Sequence, residues 1–217
     1  MKPCFILTVL LLVLVSFYVI IRTSTVANSI NSIDAVYAGD SFITVDNASK
    51  GAMYNLTYGE ITEEGIKNIV GYLKANQAPM STYIDLGSGN GRSLLYARKN
   101  GFRKSKGVEI VEERHMYALN AIDKLPEYKD DIELLHADIF HLLPSFFPTE
   151  STVFVSNLLF PPETNQNLFQ FLSDNTPDDV TLIVSKVPAN LHKYHIETTI
   201  NVPMSWAHTS PCYVLGK

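Results

Sequence analysis

The sequence has few cysteines and lacks the clusters of histidine and cysteine that bind metal ions. Its two cysteines, Cys4 and Cys212, lie at opposite ends of the chain, which excludes a disulfide framework and a zinc cluster. His192 and His195 have no third ligand at a convincing spacing, and a metal site needs a defined set of ligands. The sequence therefore predicts no metal site.

Charged residues are scarce as well, and the balance is acidic. They make up 18% of the 217 residues and give a formal net charge of −5, with no run of lysine and arginine. Nucleic-acid binders carry a basic patch or stripe. We therefore expect no direct binding of nucleic acid.

The chain does contain a long run without charge at residues 4–21, CFILTVLLLVLVSFYVII. These 18 residues span about 27 Å as a helix, close to the roughly 30 Å of bilayer hydrocarbon. The alternative is a cleaved signal peptide, because residues 25–27 resemble a cleavage site, but the apolar core of such peptides is usually about 7–15 residues long. We interpret residues 1–22 as a single-pass membrane anchor or signal peptide, residues 23–50 as a tether and residues 51–217 as one folded domain.

From residue 58 onward, helical and strand patterns alternate, and 46% of the whole chain is hydrophobic, which is typical of one globular α/β domain. The patterns predict helices at 61–75, 92–99, 112–124, 140–146 and 163–173. They predict strands in a run ending at 85 and at 106–110, 132–136, 152–157, 180–187 and 211–216. Strands alternating with helices indicate a parallel sheet covered on both faces. The last two strands have no helix between them, which favours an antiparallel last strand.

The first strand runs into a glycine-rich turn, DLGSGNG at residues 85–91. A dinucleotide fingerprint requires glycine at its first, third and sixth positions, and the sixth position counted from Gly87 is Arg92. The pattern G-x-G-x-G behind an acidic residue suits a ligand that carries an amino group and a ribose.

Two further acids end the next two strands. Glu109 lies 20 residues after Gly89, where a carboxylate can bind both hydroxyls of a ribose, and Asp138 follows strand 132–136 near the expected adenine. Ligands of open parallel sheets bind beyond the carboxyl ends of the strands. Together with Asp85, these acids predict an S-adenosylmethionine site.

The residues also resemble the Dot1-like protein lysine methyltransferases, a family of class I, seven-strand, Rossmann-like enzymes. Four motifs carry the resemblance: Tyr58-Gly59-Glu60, DLGSGNG, GVEI at 107–110 and VSNLLFPPE at 155–163. Ser205-Trp206 and Tyr213 near the end of the chain are also similar to that family.

The resemblance implies a role for each matching residue. Tyr58 is expected to cover the methionine end of S-adenosylmethionine, Asp85 and Gly87 to hold its amino acid part, Glu109 to bind ribose and Asp138 to bind adenine. The other expected cofactor-binding residues are Glu60, Gly89, Gly91, Arg92 and Ile139. Ser156 and Asn157 are expected to face the point of methyl transfer, and Phe160 and Tyr213 to form the walls of the lysine channel.

The sequence departs from the family pattern at three positions. Ser156 replaces the first of two adjacent asparagines, Ile61 replaces a threonine and Arg92 replaces a glutamine. The basic segments that bind nucleosomes are absent. A membrane anchor is foreign to the better-known members of the family. The resemblance implies methylation of a protein lysine, a histone lysine included. The cofactor is cytosolic, so we expect the catalytic domain on the cytosolic side of the membrane. The alternatives are a methyltransferase for a small molecule or lipid, and a degenerate fold with a structural role.

Overall fold

A computed structural model describes residues 32–38 and 59–217 of the chain. They belong to two compact units, which comprise residues 1–40 and 41–217. In the first unit, helix α1 (Ile33–Val36) is capped by the side chain of Ser32, which accepts a hydrogen bond from the Ala35 N–H. This single turn lies in the stretch that the sequence predicts as a tether. The predicted anchor and Tyr58 lie outside the described residues.

The second unit contains the remaining elements of the described residues. Its helices are α2 (Glu63–Ala75), α3 (Arg92–Lys99), α4 (Glu112–Asp123), α5 (Pro126–Lys129) and α6 (Pro162–Asn175). Its strands are β1 (Thr82–Leu86), β2 (Lys104–Glu109), β3 (Ile132–His136), β4 (Ser151–Val155), β5 (Thr181–Val184), β6 (His195–Asn201) and β7 (Pro211–Gly216). In the described part of the chain, no helix is long and apolar enough to cross a membrane.

The seven strands form one sheet in the order β3-β2-β1-β4-β5-β7-β6. Strands β1 to β5 pair in parallel, and β7 pairs antiparallel with both β5 and β6. The prediction of a mostly parallel sheet with an antiparallel last strand is confirmed. The carboxyl ends of β1 to β5 meet at one edge of the sheet, and the loop between β6 and β7 lies at that same edge because Asn201 pairs with Pro211 there.

Strand β6 is missing from the sequence prediction, which has six strands. It lies at the edge of the sheet, and six of the residues in HIETTIN are exposed. Because no face of this strand is buried in the core, its sequence lacks the alternation of apolar and polar residues that reveals a half-buried strand. Helix α5 was also missed, and the helix predicted at 140–146 is two short 3₁₀ turns, Ile139–His141 and Pro144–Phe146.

Helix α2 begins two residues later than predicted, for a local reason. Ile61 pairs with Met204 in an isolated β-bridge, so it belongs to an extended segment. The hydroxyl of Thr62 then accepts a hydrogen bond from the Gly65 N–H at 3.1 Å and caps the helix. Glu63 and Glu64 in the first turn also favour a helix start at this point.

The core covers the central strands on both faces. All five residues of β1 and all five of β4 are buried. Helix α6 packs Leu168, Phe169 and Leu172 against a cluster that includes Val155 and Val184. The edge strands β3 and β6 are largely exposed. The prediction that the sheet is covered on both faces therefore applies to the inner strands and not to these two.

Candidate functional site

The glycine turn after β1 adopts a conformation that explains its sequence. Gly87, Gly89 and Gly91 have φ angles of 94°, 53° and 78°, in the left-handed region that L side chains rarely adopt. The N–H groups of Gly87 and Ser88 both donate to the carbonyl of Val108, at 2.8 and 2.9 Å. The turn is therefore fixed to β2, and a Cβ added at Gly87 meets no atom within 4 Å, so that side of the turn is open to a ligand.

Gly107 in β2 is required by the same turn. A Cβ at this position would lie 2.6 Å from Ser88 Oγ and 2.7 Å from Leu94 Cδ1. The turn and the start of α3 therefore pack directly on the β2 backbone. The motif GVEI marks this glycine in the sequence, but the reason for it depends on a contact between separate elements.

Glu109 ends β2 and is 4% exposed. Its Oε2 accepts a hydrogen bond from the Gly89 N–H at 2.8 Å, and its Oε1 accepts one from the Val111 N–H at 2.8 Å. A carboxylate has about four lone-pair sites, so two acceptor positions remain for the hydroxyls of a ribose. The structure brings this predicted residue to the glycine turn in a fixed orientation.

Asp85 lies at the end of β1 and is buried. The hydroxyl of Ser93 in α3 donates to its Oδ2. Burial raises the pKa of Asp85 to about 7; the Ser93 hydrogen bond opposes this rise, whereas the nearby carboxylates of Glu109 and Glu60 add to it. Three acids near one turn create a negative site that suits a cationic ligand.

Glu60 is held by the far end of the chain. Its N–H donates to Ser205 Oγ at 3.0 Å, and its carbonyl accepts from the Ser205 N–H at 2.7 Å. Its carboxylate lies 3.3 Å from Nη1 of Arg92, the first residue of α3. Two predicted cofactor-binding residues, Glu60 and Arg92, are thus brought together beside the glycine turn.

Gly59 packs against the indole of Trp206. A Cβ on Gly59 would lie 2.2 Å from an indole ring carbon, which is far inside van der Waals contact. Residues 59–60 and 205–206 therefore form one structural unit. Trp206 itself remains 46% exposed at the carboxyl edge of the sheet.

Asp138 and Ile139 lie just after β3, at the same edge of the sheet. The carboxylate of Asp138 accepts a hydrogen bond from the Phe140 N–H at 3.0 Å and caps the first 3₁₀ turn. Asp138 is partly exposed. The Ala137 N–H donates to the Glu109 carbonyl at 3.1 Å, which fixes the start of this loop beside the ribose-binding candidate.

Asn157 follows β4 and is completely buried. Its Nδ2 donates to the Lys186 carbonyl at 2.7 Å and to the Oδ1 of Asn165, and its Oδ1 accepts from the Lys186 N–H at 3.0 Å. The side chain thus ties the ends of β4 and β5 to the first turns of α6. Both N–H groups of its amide are used within the protein, whereas Ser156 is partly exposed.

Phe160 and Tyr213 are both partly buried and pack against the core cluster beneath α6. Tyr213 pairs with Val184 at the carboxyl end of β5, and the Phe160 N–H donates to the Asn157 carbonyl at 3.1 Å. Both predicted channel residues therefore lie at the carboxyl edge of the sheet. Among the residues that the structure describes, no group of acidic, histidine and cysteine side chains could hold a metal ion.

The family model described as "Histone methylation protein DOT1" matches residues 49–210, three quarters of the chain. The chain belongs to the DOT1 family. It is therefore an S-adenosylmethionine-dependent methyltransferase, and the buried acids and the open glycine turn fit that cofactor. No curated protein matches the sequence.

Solved structures show the same fold as this DOT1 family member. Magnesium protoporphyrin IX methyltransferase from Synechocystis PCC 6803, with bound SAH, has a TM-score of 0.55 and 16% identity, over 89% of this chain and 98% of that chain. TrmN from Thermus thermophilus has a TM-score of 0.54 and 18% identity, over 79% and 52%. The predicted class I methyltransferase fold is confirmed.

Sequence reasoning missed three residues that build the site: Ser93, Asn165 and Lys186. Ser93 lies in the first turn of the helix after the glycine turn, so its spacing from Asp85 could have indicated the contact. Asn165 and Lys186 contact Asn157 through side-chain and backbone groups that carry no motif of their own. Only the fold brings them together.

Proposed function

We propose that this protein transfers the methyl group of S-adenosylmethionine to the side-chain amine of a protein lysine. The observation that carries the proposal is that the side chains near the end of β4 and the start of β7, at the carboxyl edge of the sheet, are uncharged. The partly exposed side chains there are Ser156, Phe160 and Tyr213, one small neutral group and two aromatic rings, with no carboxylate among them. The buried amide of Asn157 holds the turn that carries Ser156 and Phe160. Membership of the DOT1 family supports the same acceptor.

The cofactor supplies an electrophilic methyl group on a sulfonium, so the protein has to hold its two ends and exclude water. Glu109, oriented by the Gly89 and Val111 N–H groups, would accept hydrogen bonds from the ribose hydroxyls. Asp85 offers a buried carboxylate to the ammonium group. Both carboxylates complement positive charge on the ligand.

The acceptor amine must be neutral to attack. A free lysine has a pKa of about 10.4, and transfer into an apolar channel disfavours its charged form. Phe160 and Tyr213 provide such walls, and aligning the amine with the methyl group at about 3–3.5 Å lowers the barrier further. The proton leaves to solvent through the channel mouth, so no dedicated general base is needed.

The test is methylation by the purified full-length chain. Incubation with labelled S-adenosylmethionine and a protein extract should place label on lysine side chains, identified by mass spectrometry, and Glu109→Gln should abolish it. Label confined to the lipid or small-molecule fraction would favour one of the alternative substrates. Cofactor binding without turnover on any acceptor would favour the structural role.

We also propose that residues 4–21 anchor the protein in a membrane, with residues 51–217 as a catalytic domain on the cytosolic side, where the cofactor is available. The proposal rests on the length and composition of the apolar run. Resistance of the full chain to alkaline extraction from membranes tests the anchor. Deletion of residues 4–21 should abolish this resistance and release the protein from the membrane.

A further inference from the structure

Two adjacent leucines stand in solvent next to the proposed point of methyl transfer. Leu158 and Leu159 directly follow Asn157 and are 43% and 52% exposed. Of the exposed large hydrophobic side chains in the described part of the chain, they are the only two that are adjacent in sequence. Loops at the carboxyl edge of such a sheet contact the ligand, so these leucines lie where a substrate arrives.

Their exposure is imposed by buried contacts. The Phe160 N–H donates to the Asn157 carbonyl, which closes a tight turn around the two leucines. Asn157 is in turn held by the backbone of Lys186 and by the side chain of Asn165. With both sides of the turn fixed in this way, Leu158 and Leu159 cannot fold back into the core.

The chain segment that carries the leucines is uncharged. The segment from Val155 to Pro162 contains no charged residue. Trp206, 46% exposed, lies in the loop between β6 and β7 at the same edge of the sheet. Adjacent exposed apolar side chains at a site mark a surface that is covered when a partner binds.

We propose that the lysine substrate lies in an apolar stretch of polypeptide, whose side chains next to the lysine pack on Leu158 and Leu159. This inference rests on the proposed lysine methylation and adds the sequence context of the target. A lysine in the channel leaves its own backbone at the mouth, so the neighbouring residues of the substrate reach the two leucines. Acidic or basic neighbours would find no partner on this segment.

The two leucines act on substrate binding and leave the chemical step unchanged. Binding of the substrate removes most of the exposed surface of the two leucines from water. Burial of one leucine side chain changes the affinity for the substrate about tenfold. Replacing both with serine should raise KM for an apolar peptide about 100-fold and leave kcat at saturation within about twofold.

The experiment uses two peptides with one lysine each and identical soluble tails. In one peptide leucine and alanine flank the lysine, and in the other serine and glycine do. The full-length wild type should methylate the apolar peptide with a kcat/KM at least tenfold higher. The variant L158S/L159S should lose this preference. Leu119→Ser, which changes an exposed leucine on α4 instead of the loop after β4, should retain it.

Three results would overturn the inference. Equal kcat/KM for the two peptides, or an unchanged preference in L158S/L159S, removes the role of the leucines while lysine methylation stands. Methylation of phosphatidylethanolamine vesicles with neither peptide modified would assign the apolar mouth to lipid and also refute the proposed function. Cofactor affinity, measured by calorimetry in every variant, should not change, because the leucines follow β4 and the glycine turn follows β1.

Discussion

The Gly89 N–H donates to Glu109 Oε2 at 2.8 Å across a separation of 20 residues. This hydrogen bond joins the glycine turn after β1 to the end of β2, and the Val111 N–H completes the support of the carboxylate from the other side. The residue that is proposed to bind ribose is therefore also the residue that shapes the turn. Cofactor binding and local stability depend on the same side chain.

Glu109→Gln should weaken both cofactor binding and the stability of the folded protein. A glutamine amide has one acceptor oxygen, so one of the two buried N–H groups loses its partner, at a cost of about 1–3 kcal/mol. Cofactor affinity should fall at least tenfold by calorimetry, and the free energy of unfolding should fall in denaturant titration. Glu133→Gln, on the exposed edge strand β3, is the matched control and should change neither by more than about 0.5 kcal/mol.

Asp85 should make stability fall as pH rises. Its pKa is 3.8 in the unfolded chain and about 7 in the folded protein, because burial disfavours the charged form. Between these values the folded state binds more protons than the unfolded state, so the free energy of unfolding decreases from about pH 4 to about pH 7. Thermal unfolding measured across this pH range should show the decrease in stability, and Asp85→Asn should remove most of it. A slope that persists in Asp85→Asn would assign it to another group.

The affinity for the cofactor should increase as pH rises, because it depends on the ionised form of Asp85. A cationic ligand favours the ionised carboxylate, so affinity for S-adenosylmethionine should increase as pH rises through about 7. The same ligand should release protons when it binds near pH 6, which calorimetry in buffers of different ionisation enthalpy detects. Asp85→Asn should bind weakly at every pH.

Gly59→Ala should displace Trp206. The added methyl group would lie 2.2 Å from the ring, so either the indole or the backbone must move. Because the chain has a single tryptophan, its fluorescence emission reports this movement directly. Gly71→Ala is the control: its Cβ meets nothing within 4 Å on helix α2, and it should stabilise the protein by about 0.5–1 kcal/mol with unchanged emission.

Asn157→Asp should destabilise the protein by about 2–4 kcal/mol. The new carboxylate would face the Lys186 carbonyl and Asn165 Oδ1 with no hydrogen to donate, in a fully buried position. Asn68→Asp changes an amide that donates to the Asn201 carbonyl at an exposed position, and should cost about 1 kcal/mol or less. Urea unfolding of the two variants measures the difference.

The local features of the sequence predict much of this site. The strand, glycine turn and helix at residues 82–99 follow from a buried apolar run, three glycines with left-handed φ angles and an amphipathic helix, all within a short stretch of chain. The positions of Glu109 and Asp138 follow from the ends of neighbouring parallel strands. These features depend on local conformation and on the position of each acid at the end of a strand, which the pattern of residues reveals.

Other features depend on contacts that no local pattern encodes. Strand β6 is polar because it lies at the edge, so its strand conformation comes from pairing with β7. The partners of Asn157 come from β5 and α6, and Gly59 is required by an indole far away in the sequence. Such contacts become predictable only when the topology of the sheet is known.

The order of the strands also determines when this enzyme can be completed during synthesis. The final strand, β7, inserts between β5 and β6, and the last loop supplies Ser205, which holds Glu60 at a separation of 145 residues. Until β7 and the loop before it have left the ribosome, β5 has an open edge and Glu60 lacks its support from Ser205. A nascent chain therefore completes this site only after β7 has left the ribosome.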